Sequence, residues 1–216
     1  MAACCDHCHG AAPEDDRASR RALWIVLAIN AAMFVVEIAA GVVAGSVALQ
    51  ADALDFLADS ANYAISLWVI GMALRYRAMA AMLKGATMGV FGLWVLGATA
   101  WHAWHGTLPS AVTMGSVGFA AFVANAASLV VLWAYRRSDA NMRSAWICTR
   151  NDVLGNLAVL LAALGVFGTG TGWPDVIVAT IMAGLALQGA WIVLRQSRHE
   201  LRIAASPRIM RWLMSA

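Results

Sequence analysis

Between Asp52 and Asp59 the chain reads DALDFLAD, three carboxylates at i, i+3 and i+7 in an otherwise apolar stretch. On an α-helix that spacing aligns Asp52, Asp55 and Asp59 along one face. A fourth acid, Asp152, lies in a second apolar stretch, SAWICTRNDVLGNLAVL, with Cys148 about one helical turn before it and Asn151 beside it. Two or three carboxylates completed by one sulfur or nitrogen suit Zn²⁺, with related first-row ions close behind. Carboxylates crowded into a low-dielectric site repel one another, so protons and a divalent cation compete for them. Metal arrival then displaces protons and protons displace metal, which is the physical basis of an antiporter. A second group of metal-binding types opens the chain: Cys4, Cys5, Asp6, His7, Cys8 and His9 are consecutive or nearly so. Such density of Cys and His outside a core favours metal capture, for delivery or for sensing.

These residues need elements to position them, and the composition says which. Of 216 residues, 62% are hydrophobic and only 12% charged, against about 45–50% and 25% in an ordinary soluble domain. A bilayer crossing takes about 20 helical residues, and apolar stretches of that order lie near 23–43, 46–74, 84–104, 112–135, 144–168 and 174–195. They show no period-2 alternation, so the expected fold is all-α, a bundle of six transmembrane helices. Fourteen of the fifteen Lys and Arg fall before the first span, after the second, after the fourth and after the sixth. Basic loops stay cytoplasmic, so both termini are expected there, in a cell inner membrane. The net charge of +3 follows from this topology and does not indicate nucleic-acid binding. Residues 1–20 lack the apolar core of a signal peptide and are expected to form a flexible cytoplasmic tail. Residues 21–195 form the transport domain, and 196–216 a short basic tail too small for a second domain. With the cysteines in a reducing compartment, a disulfide is not expected.

Depth links the two acidic faces. At 1.5 Å per residue, Asp59 lies about 20 Å below the outer start of the second helix, and Asp152 about 12 Å above the inner start of the fifth. The helices run in opposite directions, so the two acids meet near the midplane of a core roughly 30 Å thick. A charge in that core costs about 2.5–3.5 kcal/mol on insertion scales and is a functional signal by default. The alternative for any one acid is a capped or paired polar residue in a bundle. Arg150 either reaches the inner interface or pairs with an acid.

Other residues have plainer readings beside the functional one. His102 and His105, flanking Trp104, anchor the outer interface or contact metal at the exit. Asn30 and Glu37 in the first helix serve bundle hydrogen bonding or support the site. Gly85xxxGly89 permits close helix approach, and a homodimer through membrane helices is expected to use such contacts. An electron-transfer subunit would place His pairs in the middle of facing helices, where no His occurs. A membrane metal sensor that binds at the N-terminal cluster without transporting is the main alternative to an exporter, and an organic-cation pump is another. Transport is expected, not catalysis.

The pattern resembles the cation diffusion facilitator family of proton-coupled metal exporters over residues 21–195. The resemblance rests on Gly45-Ser46, Ala48-Leu49, Ala51-Asp52 and Asp55xxxAsp59, which look like the family's second helix, and on the fifth-helix pair Cys148 and Asp152. In the family these pairs form a tetrahedral transport site, which implies Asp55, Asp59 and Asp152 as ligands. Cys148 stands where the family has His or Asp, and Asn151 or Asn156 could take its place. Pro174-Asp175 stands where the family has Asp-Pro. The family's cytosolic domain after the sixth helix is not expected here, which implies a short-form member. The implied cargo is Zn²⁺, with Co²⁺, Cd²⁺ or Fe²⁺ as alternatives, and the counter-ion is the proton.

Overall fold

A computed structural model describes residues 17–68, 74–134 and 140–204. Six helices make up almost all of it: α1 (Arg17–Ala44), α2 (Val47–Trp68), α3 (Leu74–His105), α4 (Ala111–Trp133), α5 (Ala140–Thr169) and α6 (Trp173–Ala204). The all-α expectation therefore holds, with no strand among the described residues. The N-terminal cluster of Cys4, Cys5, His7, Cys8 and His9 lies outside them. Several helices outrun their apolar stretches, because hydropathy marks the lipid-facing length while the backbone ladder continues into water. Thus α3 starts ten residues earlier than expected, and α6 continues nine residues past the expected end at 195.

Five of the helices are long and apolar enough to cross a membrane; the sixth is α2, which carries Gln50 and all three aspartates. Its neighbours explain how a polar helix can sit there. α2 packs against α1, α3, α5 and α6, and nine of the ten residues from Val47 to Phe56 are buried. Its polar face is thus covered by protein, while Val43, Val90, Val112, Val130 and Phe167 of the other helices face outward as a lipid-facing surface would. The turn that feeds α2 needs Gly45, whose φ of +66° is the left-handed conformation that ends a helix. Ser46 N then donates to Gly41 O at 2.9 Å, and Ser110 N donates to Ala44 O at 3.0 Å, which ties the α1–α2 and α3–α4 turns together at one end of the bundle.

The core has two apolar clusters. One, at the turn end, gathers Val47, Leu49, Leu54, Met114, Val159 and Val166 with others; the second, at the opposite end, gathers Leu23, Val26, Tyr63, Leu67 and Leu132. Most of the buried acids and amides lie between them. On α3, Gly85 and Gly89 do not face outward. Gly85 abuts Val193 and Leu194, and Gly89 abuts Ala190, all on α6. The small-residue seam expected to serve a dimer is used within the chain.

A candidate metal site between α2 and α5

α2 and α5 run antiparallel, so positions that rise along one fall along the other. Asp59 therefore stands opposite Asp152, and Tyr63, one turn further along α2, stands opposite Thr149. Asp59 and Asp152 are 5% and 7% exposed, and their carboxyl groups lie within hydrogen-bonding reach of each other. The Tyr63 hydroxyl donates to Asp59 Oδ2 at 2.8 Å and lies 2.8 Å from Thr149 Oγ1, while Thr149 donates to Ala145 O at 3.1 Å. Tyr63 thus fixes one oxygen of Asp59 and floors the pair on the side of the second apolar cluster. The depth count from sequence anticipated the pairing of Asp59 with Asp152. It did not anticipate Tyr63 or Thr149, although Tyr63 at i+4 from Asp59 was a readable signal.

Lys84 is a second addition. Counted from sequence as a residue flanking a loop, it is only 7% exposed, hydrogen-bonds to Asn62 Oδ1 and lies close enough to Asp59 to act on it electrostatically. Cys148 is buried on α5, one turn from Asp152; Asp55 and Asn151 are half-buried. Among the described residues no three His, Cys, Asp or Glu side chains form one metal-sized cluster. The two acids stand ready as a pair, with Asp55 and Cys148 each a turn away on the same two helices.

Asp52 belongs to a different group, about 10 Å along α2 from Asp59 at 1.5 Å per residue. Its Oδ2 accepts from Asn156 Nδ2 at 2.7 Å, and Asn156 Oδ1 accepts from Asn125 Nδ2 at 2.9 Å. Glu37 of α1 reaches Asp52 from the other side. Asn156, considered from sequence as a substitute ligand for Cys148, is therefore committed to Asp52. Of the remaining candidates, Asn30 donates to Val26 O at 2.8 Å. Arg150 is exposed, with its guanidinium 5.5 Å from the centre of the Trp146 ring in a cation–π arrangement. His105 stacks on Trp101 at 3.8 Å, which fits anchoring.

The residue that sets the register of α2 is Asp175, noted from sequence only as part of Pro174-Asp175. It accepts from Ser46 Oγ at 2.6 Å, Val47 N at 2.9 Å and Ala48 N at 3.0 Å. An acid in the first turn of α6 thereby caps the start of α2, taking up donors that a helix N-terminus leaves unmatched. Because Asp59 is twelve residues further along the same helix, this cap fixes the height at which it meets Asp152.

Comparison with known proteins gives a family match and several relatives. The cation efflux transmembrane domain model matches residues 23–201. The zinc transporter ZitB of Yersinia pestis is 28% identical over 206 residues, covering 86% of this chain and 64% of that protein. The metal cation efflux system protein CzcD of Cupriavidus metallidurans is 25% identical over 195 residues, covering 85% and 62%. The cadmium, cobalt and zinc/H(+)-K(+) antiporter of Bacillus subtilis is 24% identical over 204 residues, covering 87% and 65%. The chain thus spans just under two thirds of the length of these relatives. With a family match across most of its six-helix bundle, the chain belongs to the cation efflux, or cation diffusion facilitator, family.

Proposed function

We propose that this protein exports divalent transition-metal ions, Zn²⁺ foremost and Co²⁺, Cd²⁺ or Fe²⁺ as alternatives, across the inner membrane in exchange for protons. The observation that carries the reading is the buried pair Asp59 and Asp152, contributed by two antiparallel helices in the middle of an apolar bundle. Two facing carboxylates in a low-dielectric setting take up positive charge, either a proton or a cation. The ligand set adds Asp55 and Cys148 to the pair, with Asn151 as a further oxygen donor, and so reaches the four-coordinate mixture of oxygen and sulfur that suits Zn²⁺. Lys84, beside Asp59, supplies positive charge on the side facing the basic loops and competes with the cargo. The names of relatives, a zinc transporter and a cadmium, cobalt and zinc/H(+)-K(+) antiporter, support the cargo and the ion coupling. The N-terminal Cys4, Cys5, His7, Cys8 and His9 raise the local supply of metal, and both termini face the cytoplasm. The working unit is a homodimer in lipid, joined through faces other than the Gly85 and Gly89 seam.

Zn²⁺ uptake into inverted vesicles carrying a proton gradient tests this. The expected result is uptake that stops when an uncoupler dissipates the gradient and stops in Asp59→Ala or Asp152→Ala variants that remain folded in the membrane. Normal uptake in both variants would refute the site, and uptake indifferent to the uncoupler would refute the coupling.

A further inference from the structure

We infer that Glu37 and Asp52, with Asp52 held in place by the Asn156 and Asn125 carboxamides, form a second cation site that holds a divalent metal ion through carboxylate oxygen, about 10 Å from the Asp59–Asp152 pair toward the turn end of the bundle. The separation follows from the seven-residue step from Asp52 to Asp59. Glu37 lies seven residues, about 10 Å, from the end of α1 at Ala44, and Asp52 five residues, about 7.5 Å, from the start of α2 at Val47, so the two stand at similar depth below the turn.

The evidence is a set of buried oxygens that no N–H or hydroxyl donor reaches among the described residues, so that Glu37 and Asp52 have only each other to share a positive charge. Glu37 is 0% exposed, and Asp52 and Asn125 are each 1% exposed. Among the described residues no donor reaches either carboxylate oxygen of Glu37, Oδ1 of Asp52, or Oδ1 of Asn125. Buried acceptors are rarely left so, and an unmatched one is costly. Three of these oxygens belong to the two acids, and hydrogen bonds hold Asp52 in a line across three helices, from Asn125 of α4 to Asn156 of α5 and on to Asp52 of α2. Glu37 of α1 closes the line on the far side of Asp52. The line ends on an acid facing an acid. The charged side chains acting on Glu37 are Asp52 and Asp55, both acidic, so the charge that balances the group comes from outside it.

The spacing suits a metal ion. The carboxyl groups of Glu37 and Asp52 lie within hydrogen-bonding reach of each other, near enough for one ion to bind both. The donors are oxygen only, with no sulfur or imidazole, so the site favours Mn²⁺ and other oxygen-seeking divalent ions over Cd²⁺. Asp55 lies between the two levels, on the same helical face as Asp52 and Asp59. An ion released from Asp59 and Asp152 toward the turn end thus meets a second, harder set of ligands two helical turns on. Only this role as an onward station rests on the transport reading; the site itself does not.

Mn²⁺ binding to the full chain in lipid nanodiscs, followed by electron paramagnetic resonance and equilibrium dialysis, tests the inference. Wild type is expected to bind two Mn²⁺, and the double variant Asp59→Asn with Asp152→Asn one. Adding Glu37→Gln to that double variant is expected to weaken the remaining binding on the order of a hundredfold, as loss of one partner from a buried charged group does. Asp52→Asn serves as the independent second variant should Glu37→Gln fail to fold. If the double variant binds no Mn²⁺, the second pair holds at most a proton and the inference is overturned. It is equally overturned if the last ion survives both Glu37→Gln and Asp52→Asn. If the double variant still binds two ions and Glu37→Gln removes one, the second site stands and the site proposed between Asp59 and Asp152 falls.

Discussion

Asp175 offers a test of how the fold positions the site, since it touches neither Asp59 nor Asp152 by any contact described above. Its carboxylate takes three donors, the Ser46 hydroxyl at 2.6 Å and the Val47 and Ala48 amides at 2.9 and 3.0 Å, and its side chain is 1% exposed. Asp175→Ala removes the acceptor and leaves three buried donors unmatched. At about 1–3 kcal/mol for each such donor, partly relieved by water entering at the membrane edge, the cost is roughly 3–5 kcal/mol. For a chain of this length that corresponds to a fall in midpoint of the order of 10 °C. Asp175→Asn keeps one oxygen acceptor but turns an amide toward backbone N–H groups, and is expected to lose about half as much. Ser46→Ala removes a single donor and is expected to cost about 1 kcal/mol. Thermal unfolding of the purified protein in detergent, read by circular dichroism and by intrinsic tryptophan fluorescence, ranks the three. The reasoning is refuted if Asp175→Ala melts with wild type, or if Ser46→Ala is the worse of the two.

Three further outcomes are expected. Cys148→Ser preserves size but removes the soft donor, so Zn²⁺ and Cd²⁺ uptake should fall several-fold more than Mn²⁺ or Co²⁺ uptake; an unchanged selectivity profile in vesicles would remove Cys148 from the ligand set. Tyr63→Phe deletes the 2.8 Å donor to Asp59 at a cost of about 1–2 kcal/mol, and is expected to lower the midpoint by a few degrees and to weaken Zn²⁺ affinity measured by competition with a fluorescent chelator. Deleting residues 1–9 should reduce uptake at limiting metal while leaving the rate at saturating metal intact, which a concentration series reads directly.

The sequence carried the fold well because the bilayer imposes one length and one ladder on each element. Apolar runs of about 20 residues with basic flanks leave little besides a six-helix bundle, and the i, i+3, i+7 spacing of Asp52, Asp55 and Asp59 marks the face that has to be covered. The meeting of Asp59 with Asp152 was also legible, since helix rise converts residue counts into depth. Lateral contacts were not. Whether Gly85 and Gly89 meet a second chain or α6 depends on how the helices are arranged around α2, and no local pattern encodes that. Asp175 looked like an ordinary first-turn acid of its own helix, yet its partners are 127–129 residues away at the head of another. Asn156 is one turn from Asp152 and by spacing alone could have served either level; its hydrogen bonds to Asp52 and Asn125 decide for the level nearer the turns. Glu37 and Asn125 could be seen as polar residues in apolar helices, but their convergence on Asp52 required the rotation of α1 and α4 about their axes.

Whether the cargo sits between Asp59 and Asp152 is read from an anomalous difference map of crystals of the Zn²⁺-loaded protein, collected on both sides of the zinc absorption edge. The strongest peak is expected between the two helices, about 2.0–2.2 Å from a carboxylate oxygen of each acid, and is expected to be gone in Asp59→Asn crystals. A map whose strongest peak lies elsewhere while Asp59 and Asp152 remain joined only to each other and Tyr63 would contradict that placement.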